Sequence, residues 1–291
     1  MTTYAARVNP RALQRRRVRR RFTRRPPAVI GAIGVLIVVL VAIFAPLLAP
    51  YDPTASNYSA VLKPPLSPGH LLGTDDLGRD LLSRLIVGTR ASLEAGVFAT
   101  LLAMVVSVPI GMAAGYYRKW LDPIVSRATD VVLSFPFLIL AVGLAAILGP
   151  SLTNATIALA VAQLPAFLRI ARGETLGLRE QDYVAAAVVN GARDRTILAR
   201  HVLPNSLSPL VIQATVAIPA AIIGAAVLSF LGLGVQPPTP AWGTMLSEAQ
   251  NYVSQAPWFA VFPGLAIAFT TLSFNLFGDG LRDVLDVRMQ S

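Results

Sequence analysis

Six apolar runs dominate this sequence, each near the length a helix needs to cross a bilayer, about 20 residues. They are Ala28 to Leu48, Ser92 to Gly115, Val131 to Leu148, Leu152 to Ile170, Leu207 to Leu233 and Ala260 to Phe277. Lipid offers no hydrogen-bond partners, so a backbone inside it must satisfy itself, and isolated apolar runs do this as helices. The expected fold class is an all-α polytopic membrane protein with six transmembrane helices. Composition agrees: 54% of residues are hydrophobic and 14% charged, where soluble domains carry about 25% charged.

The basic residues orient the spans. Lys and Arg concentrate on the cytoplasmic side of membrane proteins. Ten arginines, Arg7 to Arg25, precede the first run. With the N-terminus inside, Arg118, Lys119, Arg127, Arg169, Arg172, Arg179, Arg193, Arg195, Arg200, Arg282 and Arg288 also fall inside, which accounts for 21 of the 25 basic residues. Lys63, Arg79, Arg84 and Arg90 lie outside. Both termini are therefore placed in the cytoplasm. Topology explains the net charge of +10, so no nucleic-acid partner is expected. Arg19-Arg20-Arg21-Phe22 loosely resembles a twin-arginine signal, but an apolar run longer than a signal-peptide core follows.

Several chemistries are excluded or disfavoured. There is no cysteine, which removes disulfides and thiolate chemistry. The two histidines, His70 and His201, are too few for a multi-histidine metal site. Neither lysine, Lys63 or Lys119, sits in a glycine-rich phosphate loop, so the chain binds no ATP in that manner. The middles of the apolar runs hold no ionisable group of the kind that ion-coupled carriers use as relays. Glu94, Asp130 and Asp279 lie near span ends, where interfacial solvation accounts for them. Energy for transport is expected from outside the chain.

The longest inner loop, Arg169 to Ser206, reads as structured. Tyr183 to Val189 has fair helix formers, and Gly191 is placed to end that helix in the left-handed conformation of a C-cap. A second helix, about Arg195 to His201, is expected to break before Pro204. Ala185, Ala186 and Ala187 form a surface with little side chain, which a partner's backbone can approach closely. On physics alone, a docking element and a helical loop packed beneath the membrane are equal readings.

That loop resembles the signature loop of ABC importer permeases: Ala185-Ala186-Ala187, then Gly191, then His201-Val202-Leu203-Pro204. It departs at Ala185, where the family often has Glu, and has His201 at the usual Ile position. His70-Leu71-Leu72-Gly73-Thr74-Asp75-Asp76-Leu77-Gly78-Arg79-Asp80 resembles the external signature of the second permease of dipeptide and oligopeptide importers. Leu228 to Pro238 with Trp242-Gly243, and Gly278 to Asp286, are similar to the same family, although Val287 stands where Pro is common. The likeness runs from about Ala28 onward.

The resemblance implies type I ABC importer permease architecture with both termini inside, and a division into a basic segment (1–27), a first span (28–49), an external loop (50–90), a five-helix core (91–278) containing the coupling loop (171–206), and a tail (279–291). It implies a non-catalytic subunit in a bacterial inner membrane. Its partners would be a sister permease in a heterodimer, two ATPases that bind ATP and Mg, and an extracytoplasmic substrate-binding protein. Tyr183, Ala185, Ala186, Ala187, Gly191, His201, Leu203 and Pro204 would form the ATPase-coupling loop. This chain itself would hold no cofactor. Nickel, glutathione and other small solutes remain alternative cargoes. An ion-coupled secondary transporter and a membrane scaffold are the alternatives of other classes.

Locally, Thr74 or Asp75 can cap the helix after the external motif, Gly278 and Gly280 can end the sixth span, and Asp283 and Asp286 read as solvated or capping groups. Leu81 to Leu85 and Trp242 to Tyr252 suit short interfacial helices. Pro109, Pro136, Pro165, Pro219 and Pro263 can bend their spans or merely set static kinks.

Overall fold

The computed structural model describes residues 25–286, so the arginines before Arg25, Val287 and Arg288 lie outside the described residues. Among the described residues nine helices carry the fold: α1 Pro26–Leu48, α2 Leu81–Tyr117, α3 Leu121–Leu133, α4 Phe137–Leu148, α5 Leu152–Arg179, α6 Asp182–Val189, α7 Asp194–Phe230, α8 Trp242–Ala249 and α9 Pro257–Asp286. Five of them (α1, α2, α5, α7 and α9) are long and apolar enough to cross a membrane, and α3 with α4 makes a sixth if the bent pair counts as one span.

The third apolar run departs from expectation. In place of one straight helix, α3 and α4 meet at a 90° bend. Pro136 has no N–H to donate and disfavours helical backbone at Phe135. The α3 helix closes with the Ser134 N–H on Asp130 and Val131, and α4 restarts with the Leu140 N–H on the Pro136 carbonyl. Its 12 residues reach only about 18 Å. Pro109, Pro165, Pro219 and Pro263, by contrast, lie inside continuous helices.

The spans pack through small residues. In α1 the buried positions are Ala28, Gly31, Gly34, Val38, Ala42 and Ala45, while Ile30, Ile33, Leu36, Ile43, Phe44 and Leu47 point outward. Lipid is as apolar as leucine, so tight packing rather than water exclusion selects the inner face. Gly31 and Gly34 of α1 meet Leu276, Phe277 and Ser273 of α9. Along α2, Ala95, Ala99, Ala103, Ser107 and Gly111 recur at four-residue spacing and are buried. At Gly111 the backbones of α2 and α5 come so close that a Cβ would stand 2.7 Å from the Leu168 carbonyl oxygen.

Uncharged polar groups tie the same helices. Thr100 donates to Gln163 at 3.2 Å, and Ser107 donates to the Leu164 carbonyl at 3.0 Å. Two readings of span ends are corrected. Leu81 to Leu85 is the first part of the continuous helix α2 rather than a separate interfacial piece. Gly278 and Gly280 lie within α9, which runs on to Asp286; Gly278 provides a close approach to Thr215. Trp242 to Tyr252 does form a short helix with a 3-10 turn.

Candidate functional site

The inner face is built on the cytoplasmic ends of α2, α3, α5 and α7. Charged residues there are cross-linked. Arg169 donates to Asp130 at 2.8 Å, Arg172 Nη2 to Asp122 at 2.9 Å, and Arg118 to Glu180 at 2.8 Å. The Tyr116 hydroxyl donates to Asp194 at 3.0 Å, and the Arg179 guanidinium lies 5.6 Å over the Tyr116 ring. These links tie α5 to α3, the end of α2 to the end of α5, and the start of α7 to α2. Arg25 and Asp283 are also ion-paired, which puts the start of α1 and the end of α9 on one side.

Helix α6 is anchored by one residue. Val184 is buried, while Ala185 and Ala186 are exposed and Ala187 is half-buried against the core. The helix ends at Val189. Gly191 adopts φ +75°, its N–H bonds the Val188 carbonyl at 2.9 Å, and the Ala192 N–H bonds the Ala187 carbonyl at 3.0 Å. This pair of bonds is the Schellman closure that glycine permits, as the sequence predicts.

The second helix does not break before Pro204. Asp194–Phe230 is one continuous helix, widened to a π turn over Leu198–Val202. A proline ring clashes with the carbonyl four residues earlier and offers no N–H. The wider turn accommodates both faults: the Leu203 N–H reaches back to Leu198, and the Asn205 side chain donates to the His201 carbonyl at 2.6 Å. Such π bulges often mark functional sites.

The structure brings several of the loop residues named from sequence together. The Tyr183 ring lies 6.3 Å from that of His201, and Asn205 donates to the Tyr183 hydroxyl at 3.3 Å. Leu203 packs on the core and Pro204 is exposed. Sequence reading missed Val184, Asp194 and Asn205. The Val184/Ala187 spacing was a usable signal for the anchor; nothing local to Asp194 points to Tyr116. The α6–α7 hairpin thus joins two spans rigidly and presents a small-residue face outward, an arrangement suited to mechanical contact rather than to bond chemistry.

The outer face holds a buried ionic cluster. Asp75 accepts from the N–H of Leu77 and of Arg79 and from Arg79 Nε at 2.6 Å. Glu248 of α8 accepts from Arg79 and Arg84 at 3.1 and 2.7 Å. Burial pushes the carboxyls of Asp76 and Glu248 above their ordinary values, against the pull of the two arginines. The cap of α2 is neither Thr74 nor Asp75. Asp80 takes that role, accepting from the Ser83 N–H at 2.8 Å, with His70 Nδ1 2.9 Å from its other oxygen. Asp75 is consumed by its own turn and by the arginines, and the Thr74 hydroxyl donates to the Ala60 carbonyl.

Comparison with known proteins places these features. Residues 107–291 match the family described as binding-protein-dependent transport system inner membrane component, and residues 14–65 match the N-terminal TM domain of oligopeptide transport permease C. The dipeptide transport system permease protein DppC of Alkalihalophilus pseudofirmus is 45% identical over 91% of this chain and 86% of its own length. The glutathione transport system permease protein GsiD of Pectobacterium atrosepticum is 47% identical over 94% of this chain and 90% of its own. A chain of the MetNI methionine ABC transporter, solved in inward-facing conformations, shares the fold with a TM-score of 0.57 at 21% identity, over 71% of this chain and 97% of that one.

Proposed function

Since this chain belongs to the inner-membrane permease family of binding-protein-dependent transport systems, we propose that it forms the translocation pathway of an ATP-driven peptide importer together with a sister permease. The chain is an ABC importer permease of multi-pass helical architecture. In the proposed complex it sits in a bacterial inner membrane and is not itself catalytic. Two ATPase subunits bind ATP and Mg below it, and an extracytoplasmic binding protein delivers cargo.

One observation carries the coupling role. Helix α6 is an exposed two-turn element whose ends are fixed to α5 and α7. A partner that moves α6 between two positions therefore moves two spans with it, and packed helices respond by discrete shifts. Dipeptide and oligopeptide cargo is supported by relatives named for dipeptide transport. Glutathione is the second reading, supported by the 47% identical relative. The separate binding protein would set which of them is carried.

The test is gentle detergent extraction from the native host followed by mass spectrometry. Recovery of a second permease, a P-loop ATPase and a binding protein supports the reading, and the binding protein is then assayed with dipeptides and with glutathione. A chain that purifies alone, under conditions that preserve other transport complexes, points to the secondary-transporter alternative. An Ala186→Arg variant should insert normally and abolish uptake; unchanged uptake would sink the coupling role of α6.

A further inference from the structure

On the outer half of α2 two apolar grooves open on either side of one side chain. The first lies between α1 and α2, has a volume of about 350 Å³, and is walled by Val39 and Ile43 of α1 and by Leu93 and Val97 of α2. The second lies between α2 and α5, has a volume of about 450 Å³, and is walled by Leu102 and Val105 of α2 and by Leu152 and Ile157 of α5. Glu94 and Phe98 line both grooves, so Phe98, which is 58% exposed, stands between them. The Thr156 hydroxyl, which could interrupt the second groove, is turned back onto the Leu152 carbonyl at 2.7 Å.

Both grooves start from a charged pair. Arg90 Nε donates to Glu94 Oε1 at 2.9 Å, and the two side chains are 59% and 38% exposed. Among the described residues their ion pair is with each other. A guanidinium has five N–H donors and a carboxylate has two acceptor oxygens, so the pair keeps a donor edge and an acceptor oxygen for an outside partner. The bias of basic residues places Arg90 at the outer end of its span. From Glu94 to Val105 the helix rises about 16 Å, which matches one leaflet of a hydrocarbon core about 30 Å thick.

We propose that this place holds one phosphatidylethanolamine molecule of the outer leaflet. Arg90 takes the phosphate, Glu94 takes the ammonium, and the two acyl chains straddle Phe98, one in each groove. Grooves that diverge from a single polar point fit a molecule with two chains on one head group. Adjacent charges of opposite sign fit a head group that carries both signs, and guanidinium pairs with phosphate through parallel N–H bonds. Phosphatidylglycerol would meet Arg90 but leave Glu94 unmatched, and the quaternary ammonium of phosphatidylcholine has no N–H to donate to a carboxylate. Bound in this way, the lipid joins α1 and α5 to α2 at the outer leaflet. The inference concerns the lipid-facing side of the spans and holds for any cargo.

The experiment uses the intact complex, purified from the native host and reconstituted in phosphatidylcholine nanodiscs. A phosphatidylethanolamine probe with a photoreactive diazirine on one acyl chain is cross-linked, the labelled peptides of this chain are mapped, and unlabelled lipids compete at equal mole fraction. Labels should fall on α1, α2 and α5 beside the two grooves; labels confined to other places overturn the proposal. Phosphatidylethanolamine should compete about fivefold better than phosphatidylglycerol, as one added exposed ion pair allows, and better than its own one-chain lyso form. Equal competition by phosphatidylglycerol refutes the reading of the head group, and equal competition by the lyso form refutes the paired grooves. Glu94→Gln should abolish the preference over phosphatidylglycerol, and Arg90→Ser should weaken competition by both lipids; a Glu94→Gln variant that keeps the parent's preference overturns the assignment. Ile157→Trp fills the second groove and should lower labelling while the sister permease is retained. Loss of the sister permease from that variant would mark the groove as a protein interface and overturn the proposal.

Discussion

Arg84 and Glu248 stand 164 positions apart in the chain and 2.7 Å apart in the folded protein. Arg84 begins a span and is only 1% exposed; Glu248 lies on α8. Arg79 reaches the same carboxylate, and Asp75 is 2.6 Å from Arg79 and 3.1 Å from Arg84. The turn from Asp75 to Arg79 and the start of α2, which follows it directly, are thus pinned at the outer face to α8, far away in sequence. Trp242 adds a link, donating from its indole to the Leu85 carbonyl at 3.1 Å. Buried charges of this kind cost desolvation, so each depends on its partners staying in place.

Asp75 is the least replaceable member. It is fully buried and both arginines converge on it. Asp75→Asn presents an NH2 to guanidinium donors and leaves buried charge uncompensated, which should cost about 3 kcal/mol. Glu248→Gln keeps an acceptor oxygen at a position where burial already disfavours charge, and should cost less. Thermal unfolding in detergent ranks the two; equal midpoints would show that the arginines do not depend on Asp75.

Stability should depend on pH through the same cluster. Asp76 and Glu248 are raised above their ordinary values of 3.8 and 4.5 by burial. The folded state therefore holds more protons than the unfolded state in the window just above those values. The associated stabilisation is complete below the ordinary values and is lost as pH rises through the folded ones. The midpoint should climb as the buffer is acidified towards those ordinary values, and the Glu248→Gln variant should show a shallower climb. A slope identical in variant and parent would remove Glu248 from the account.

Gly111 sets the distance between α2 and α5. A leucine there must displace backbone, since even its Cβ would lie 2.7 Å from the Leu168 carbonyl oxygen. Overpacking of this kind costs about 1–3 kcal/mol. Gly111→Leu should lower the detergent midpoint, whereas Gly143→Leu, where a Cβ meets nothing within 4 Å, should not. If the two behave alike, close approach at Gly111 is not what holds these spans together.

Gly191 separates conformation from contact. It has φ +75° and open space around the Cβ position, so a substitution there acts through the backbone alone. A β-branched residue is strained in the left-handed region, at about 1–2 kcal/mol or more, while Asn tolerates it. Gly191→Val should impair uptake with little change in global midpoint, and Gly191→Asn should restore it. Full uptake by the valine variant would show that the helix end need not be fixed.

Much of the inner-face hairpin was legible because its determinants are local. Three alanines, a glycine two residues past the helix end and a proline downstream dictate helix, C-cap and second helix through nearest-neighbour sterics. The way Pro204 is absorbed was not legible. A proline usually stops a helix, and only the π turn at Leu198–Val202, with Asn205 on the His201 carbonyl, lets α7 run on. The external motif shows the same limit: by spacing Thr74 or Asp75 could cap the helix, but Asp75 is taken up by Arg79 and Arg84, and Asp80 caps α2.

The sequence by itself determined how many apolar runs there are, which side of the membrane their ends face, and where the inner hairpin turns. Each of these depends on run length, on the bias of arginine, or on backbone preferences within a few residues. Tertiary structure alone decided which face of each span lies inside, which of the five span prolines breaks its helix, and the pairing of Arg84 with Glu248. Hydropathy cannot choose an inner face when lipid and protein interior are equally apolar; the choice falls to close packing of small residues such as Ala45 and Gly111. Nor can sequence spacing reveal a buried ion pair whose members meet only after the helices have assembled.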